Sequence, residues 1–451
     1  MELTEQFTKS QLTRGLPFVG VFPYIRKNPI EFFTQLSKLG TTVPFQLGPY
    51  KSYMLNRPED VEHVLSKNNR NYEKSPFLKN LKHVLGEGLL TTDGPEWAND
   101  RRIVTATFTK GHFEKYARVV LDQTEDLIQD WRTKGRTFPV RIDTSFTRLT
   151  FRIISQILFS VNNQSHVDVI EEAVRPLLEF SLNRNLSLVK PPLWMPPPQN
   201  RIFHKNYGKL KRVAEELVQT HIDQPDRYHD LLSSMLKELS ESKTQWSMDR
   251  IRDHLVTFMV AGHETSTMAL VWTFYALATN PGIQDLAREE ALASGKASEL
   301  GFKDLERFPY IKRCVEEAMR LYPPAWKLDR FALGEDQLTD VKIQKDAFVL
   351  MFPYFIQKNP QYFENPLVYN PDNFLEKNVE ARPKMSYFPF GGGPRVCIGR
   401  NLSVMEIVFI LVKILQNYSF TLLPEPVVKP VALITIRPEL GMNLEFQAIK
   451  P

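Results

Sequence analysis

The chemistry this sequence can offer is concentrated in one decapeptide, Phe390-Gly391-Gly392-Gly393-Pro394-Arg395-Val396-Cys397-Ile398-Gly399. Its four glycines let the backbone bend sharply and let a flat ligand approach. Cys397 directly precedes a helical pattern from about Gly399 to Leu415, read as amphipathic, which puts its sulfur near a positive dipole end and free backbone N–H groups. That setting favours a thiolate, the form of cysteine that ligates metals. Arg395 adds a cation two residues away, suited to an acidic group on a bound cofactor. On this peptide alone two other readings stay open. One is a glycine-rich turn whose cysteine is simply buried. The other is a phosphate-binding loop, although the G-x-x-x-x-G-K-[ST] pattern is missing.

Three further groupings carry chemistry. Ala261-Gly262-His263-Glu264-Thr265-Ser266 sets an acid beside a hydroxyl within a strongly apolar run, Leu255–Asn280. Gly262 leaves room for a small ligand, Thr265 can hydrogen-bond a ligand or a water, and Glu264, read as a buried acid, can relay protons. The bland alternative is that Glu264 is merely paired and Thr265 bonds back to its own helix; His263 is read as structural. Glu317-Ala318-Met319-Arg320 places opposite charges at i and i+3, on one helix face. Trp97 and Arg101, at i and i+4, can present two donors to one carboxylate.

The cysteine peptide, F-x-x-G-x-R-x-C-x-G, resembles the haem-binding signature of the cytochrome P-450 family, the haem-thiolate monooxygenases, with Phe390, Gly393, Arg395, Cys397 and Gly399 all matching. The other stretches resemble that family's [AG]-G-x-[DE]-T-[TS], E-x-x-R and W-x-x-x-R, in the family's order, so the likeness runs from about Asn28 to Pro438. It implies a soluble, bacterial-like member without a fused reductase that binds haem b (iron protoporphyrin IX). By the same resemblance Cys397 is the iron ligand, and Trp97, Arg101, Arg330 and Arg395 serve the haem propionates. Glu264 and Thr265 guide protons while one oxygen atom of O2 enters a lipophilic small molecule, such as a fatty acid or terpenoid. Glu317 and Arg320 brace the cysteine loop. Ala261, Ala325, Trp326 and Ile434, with the loop Tyr72 to Glu96, line or cover the substrate pocket. A peroxide-driven enzyme, an oxygen-independent isomerase or a haem-thiolate sensor would have less use for the acid–threonine pair.

Two positions depart from the family's pattern. Asn373, in Pro371-Asp372-Asn373-Phe374, stands where an arginine is usual, and Asp346 stands where a glycine is usual. No dinucleotide or flavin domain follows Pro451, so electrons are expected from a separate ferredoxin or flavodoxin with its NAD(P)H reductase. The expected docking surface is mildly basic, near Arg102, Lys110 and Arg400.

These residues need a scaffold, and its class is legible. The 451 residues are 42% hydrophobic and 24% charged, with a net charge of +5; this is globular composition and excludes a disordered or fibrous chain. No concentrated basic stripe suggests nucleic acid. Two cysteines exclude a disulfide framework or a four-cysteine metal site. The start, Met1 to Leu16, lacks an apolar core and so is neither signal nor anchor. With charge in its middle, Leu255–Asn280 reads as a buried central helix and not a membrane span. A cytoplasmic location follows.

A helix is expected from Asn28-Pro29 to Gly40, and strands at Thr42–Leu47 and Ser52–Leu55 around Gly48-Pro49. Helices are expected over most of Pro58–Leu182 and Tyr207–Leu321. Strands follow at Val341–Ile343 and Ala347–Phe352, and a closing hairpin at Val431–Phe446. The proline-rich segment 186–203 is either a connector between helices or an apolar flap that touches substrate or membrane. The sum is a mainly α fold with a small β portion and a long central buried helix. A length-per-domain prior of roughly 150 residues would suggest about three domains. The motifs converge on one cofactor, so residues 1–451 are read as a single large domain.

Overall fold

The computed structural model describes residues 6–108, 110–160, 191–195, 197–225, 227–241, 246–295 and 299–449, with 169, 172, 173, 176, 177, 179–181, 183 and 184. The expected segment 186–203 therefore lies partly outside the described residues. The chain divides into two compact units: residues 1–76, 313–397 and 428–440, and residues 77–312, 398–427 and 441–451.

The first unit is built on a five-stranded sheet. Thr42–Leu47 and Tyr50–Leu55 form the antiparallel hairpin read from Gly48-Pro49. Gly48 has a left-handed φ of 57°, which a side chain would resist. Val43, Phe45 and Leu47 are buried while Pro44 faces out, the alternation of a half-buried strand. Tyr50–Leu55 pairs in parallel with Phe348–Met351, which is buried at every position as a central strand should be. Leu328–Ala332, not expected from the sequence, runs antiparallel beside it, with Arg330 opposite Val349. Tyr72–Glu73 closes the far edge. Asp346 has a left-handed φ of 60°, and its N–H donates to the Ala332 carbonyl. Aspartate is one of the few residues besides glycine that tolerate this geometry, which explains the departure at this position.

The helix Pro29–Ser37 begins where proline and capping logic place it. The Asn28 side chain accepts the Glu31 N–H at 3.1 Å, and Phe32, Phe33 and Leu36 are buried. Under the sheet lies a core that includes Tyr53, Val64, Leu65, Val349, Met385 and Phe388. The cysteine loop leaves from this core.

The second unit is helical. Its main members are Gly94–Thr107, Lys110–Arg132, Ile142–Phe159, Pro198–Asp223, Leu231–Glu241, Met248–Ala278, Pro281–Ala293 and Arg400–Leu415. Met248–Ala278 is the expected central helix, opened by Ser247, whose hydroxyl accepts the Arg250 N–H at 3.2 Å. It is buried from Ile251 to Met259 and again from Ser266 to Ala278 except at Tyr275; Val260 to Thr265 is more open. Arg400–Leu415 corrects the expectation of an amphipathic helix. It is buried almost without interruption from Met405 to Leu415, because the helices Lys110–Arg132, Met248–Ala278 and Pro281–Ala293 all pack on it. Its one buried cation there, Lys413, donates to the Leu121 carbonyl at 2.8 Å and pairs with Glu125 at 2.9 Å.

The tail also differs from the single expected hairpin. Pro430–Ala432 and Ile436–Pro438 pair with each other in the first unit. Asn443–Ala448 instead becomes the middle of a three-stranded sheet between Thr137–Arg141 and Tyr418–Leu422 in the second. Phe446 holds it there, within 4.6 Å of Trp131 and 5.4 Å of Phe420 between ring centroids. Among the described residues no helix is long and apolar enough to cross a membrane.

Candidate functional site

In the first unit the cysteine loop is shaped by backbone bonds and glycines. The Gly391 N–H donates to Phe388 O at 2.9 Å, Val396 N–H to Gly393 O at 3.1 Å, and Cys397 N–H to Phe390 O at 3.0 Å. Gly391 and Gly393 take left-handed φ values of 73° and 65°. A β-carbon on Gly393 would fall 1.8 Å from the Leu65 carbonyl oxygen, and one on Gly392 would fall 2.5 Å from the Met385 methyl. The loop is therefore pressed flush onto the core, and no side chain fits between. Cys397 ends it exposed, whereas Cys314 is buried.

The E-x-x-R pair supports this loop. Glu317 and Arg320 are each 0% exposed and form a bidentate pair, both N–O distances 2.7 Å. Burial pushes the Glu317 carboxyl upward, opposed by Arg320, the Asn370 N–H and Asn373. The remaining donors of Arg320 reach the carbonyls of Gln357, Pro366 and Val368. Asn373, which stands in place of the usual arginine, donates to Glu317 Oε1 at 3.1 Å, so the network is completed by an amide instead of a third charge. Gln357 carries the connection onward. Its amide donates to Met319 O and Arg320 O, and its oxygen accepts the Phe388 N–H at 3.0 Å. Phe388 opens the turn that leads to Cys397. Sequence reasoning missed Gln357, since no spacing marks it.

In the second unit Trp97 and Arg101 stand one turn apart on Gly94–Thr107, as i, i+4 spacing requires. On the central helix Glu264 is half-buried, not buried, because it lies on the more open stretch. The Thr265 hydroxyl donates to the Ala261 carbonyl at 2.7 Å, the bland alternative read from the sequence; its oxygen keeps its acceptor capacity. Gly262 does not leave room for a ligand. A β-carbon there would come within 3.0 Å of Ile154, so the glycine lets the helix Ile142–Phe159 pack closely. His263 packs edge-on against Phe151 at 5.4 Å, a structural placement.

A second acid escaped the sequence reading. Glu406, on Arg400–Leu415, is buried and hydrogen-bonds Ser266 of the central helix. Burial pushes its carboxyl up to about 8. Ser403, one turn earlier, lies 3.4 Å from Ser266, hydroxyl to hydroxyl. The only sequence signal was a lone glutamate in an apolar helix, the same signal that drew attention to Glu264.

The expected pocket residues divide. Ala261 and Ile434 are exposed and Ala325 is half-buried. Trp326 is buried against Phe33 and Phe352, and its indole N–H donates to Leu433 O at 3.0 Å. It packs in the core because its bulk completes the aromatic cluster beside the sheet. Arg330 donates to the Asp329 carbonyl at 2.8 Å, and Phe390 and Arg395 are half-buried in the cysteine loop. Gly399 is the last residue before Arg400–Leu415. Of the expected docking residues, Arg102 pairs with Glu238 at 3.4 Å and Arg400 is exposed, while the Lys110 side chain lies outside the described residues.

The family model described as Cytochrome P450 matches residues 11–443. Cyclooctatin synthase of Streptomyces melanosporofaciens is 28% identical over 435 residues, which cover 95% of this chain and 92% of that protein. Pentalenene oxygenase of Streptomyces avermitilis is 26% identical and covers 97% of both. Among solved structures, the heme domain of cytochrome P450DA superposes with a TM-score of 0.87 at 23% identity, covering 97% of each chain, which is a likeness of fold.

Proposed function

The chain belongs to the cytochrome P450 family, and from that premise we propose that it holds haem at Cys397 and hydroxylates a lipophilic small molecule. As a family member it is a haem-dependent monooxygenase. Haem bound through a cysteine thiolate supplies O2 activation, because the sulfur pushes electron density toward iron and favours O–O cleavage.

The residues present fit that group. Of the two thiols, Cys397 is exposed at the end of a braced loop, and Cys314 is buried. Trp97, Arg101, Arg330 and Arg395 carry the indole and guanidinium N–H donors that suit propionate carboxylates. The observation that carries the reading is the bonded path Glu317–Arg320–Gln357–Phe388, which holds the cysteine loop in one conformation. A fixed loop holds the sulfur in place for its metal.

Proton handling falls to the central helix. Thr265 has an oxygen lone pair left for a water or a bound ligand, and Glu264 beside it reaches the more open stretch of the helix. Glu406, protonated through neutral pH, is a stored proton bonded to Ser266, the residue that follows Thr265 in the chain. These groups favour an oxygenase over a ligand-binding sensor, which has no protons to deliver.

A hydrocarbon-rich substrate, such as a fatty acid or terpenoid, accords with relatives named for oxygenating pentalenene and for making cyclooctatin. Electrons come from a separate acidic ferredoxin or flavodoxin docking near Arg102 and Arg400. In this reading the protein works in the cytoplasm, with a peripheral membrane contact at residues 191–195, where Trp194 is 82% exposed. The test is turnover with a ferredoxin, its reductase, NADPH and a panel of fatty acids and terpenes. The expected product gains one oxygen atom from labelled O2. NADPH consumption with no labelled product from any panel member would count against the oxygenase reading.

A further inference from the structure

The turn Gly86-Glu87-Gly88 lies flat on the central helix, and both sit in the second unit. The Glu87 N–H donates to Asp253 Oδ2 at 2.8 Å. A β-carbon on Gly86, whose φ is left-handed at 61°, would fall 2.0 Å from the Asp253 carboxyl carbon. One on Gly88 would fall 2.3 Å from Thr257 Oγ1. Asp253 and Thr257 are i and i+4, so two glycines two residues apart sit over two successive turns of one helix face. By the same periodicity that face continues to Ala261 and Glu264.

Beyond the contact the turn is stitched to itself. The Thr91 hydroxyl donates to Gly86 O at 2.6 Å, and the Thr92 hydroxyl to Gly88 O at 3.0 Å. The N–H groups of Thr91 and Thr92 also reach Gly88 O. Whatever holds Glu87 therefore holds the whole segment from Gly86 to Thr92. Asp253 is itself fixed, since its other oxygen accepts Arg252 Nη2 at 2.8 Å.

We infer that Asp253 is a positioning residue that fastens the Gly86–Thr92 turn to the substrate-side face of the central helix and thereby sets which ligands reach the haem. This rests on the haem reading above and on the expectation that Ala261, on the same face, lines the pocket. Losing a hydrogen bond to a charged acceptor makes local opening of the turn about tenfold more frequent. Small ligands already pass, so only bulky ones feel the change.

The experiment uses the haem-loaded full chain and its Asp253→Ala, Asp253→Asn and Gly88→Ala variants. Hydrogen exchange is read on peptides covering residues 85–92, and two haem-binding probes, imidazole and the bulky clotrimazole, are followed by Soret absorbance. Asp253→Ala and Gly88→Ala should each raise exchange and the clotrimazole association rate about tenfold and leave imidazole affinity unchanged. Asp253→Asn keeps an acceptor for Glu87 and should stay close to the parent. Unchanged exchange in Gly88→Ala, or in a folded Asp253→Ala variant, would overturn the contact. Raised exchange with an unchanged ratio of the two probes would overturn the control of ligand access. If the parent protein itself fails to bind imidazole at iron, the failure lies with the haem reading and not with Asp253.

Discussion

Replacing Glu406 with glutamine should stabilise the protein progressively as pH rises. The carboxyl is buried among apolar side chains of Arg400–Leu415, with Ser266 as its bonded partner, and burial lifts it from an ordinary 4.5 to about 8. In the unfolded chain it ionises above its ordinary value. Between those two values the unfolded state has released a proton that the native state still holds, so native stability falls as pH rises. The slope is about 1.4 kcal/mol per pH unit, or roughly 5 kcal/mol across the interval, and it levels off once the native carboxyl also ionises. Glutamine keeps an acceptor for the Ser266 hydroxyl and does not titrate. Urea unfolding of the parent and the Glu406→Gln variant, followed by far-ultraviolet circular dichroism, supplies the measurement. Between about pH 5.5 and about pH 8.5 the difference should move in favour of the variant by about 3 kcal/mol. A difference that is the same at both pH values would show that Glu406 is not held protonated, and the assignment of a stored proton would fall with it.

Three other outcomes are expected. Arg320→Ala leaves the Glu317 carboxylate buried without its cation and should cost on the order of 3–5 kcal/mol in urea unfolding, with loss of haem retention; a change below about 1 kcal/mol would contradict the brace. Thr265→Ala should lower product formed per NADPH consumed at unchanged haem content, because the hydroxyl beside Glu264 is gone; unaltered coupling would remove Thr265 from the proton route. The Thr257 hydroxyl is buried and has no hydrogen-bond partner among the described residues, so the isosteric Thr257→Val should raise stability by about 1 kcal/mol, read from the urea midpoint.

What the sequence reveals here is what local patterns encode. The hairpin at Thr42–Leu55 follows from alternation and Gly48-Pro49, and the helix at Pro29 from its asparagine cap. The cysteine loop is legible because glycine, arginine and cysteine at fixed spacing have few other uses. Groups that act across long chain separations are not legible. Gln357 joins Arg320 to Phe388, Asp253 meets Glu87, and Asn443–Ala448 joins strands far away in the chain, all without any periodicity to announce them. The strand Thr137–Arg141 hides for a related reason: five residues with a central proline, set between two long helices, carry too short a pattern. Single residues mislead where packing decides. Gly262 was expected beside a ligand, yet the space at its α-carbon is taken by Ile154.

The central claim is that Cys397 is the thiolate ligand of haem iron, and the absorbance of the reduced carbon monoxide complex tests it most directly. The haem-loaded protein should give the strongly red-shifted Soret band of a thiolate-ligated haem, a Cys314→Ser variant should keep it, and a Cys397→His variant should bind haem but lose the shift. An unshifted band in the fully loaded parent protein, or a shifted band that survives Cys397→His, would contradict the account.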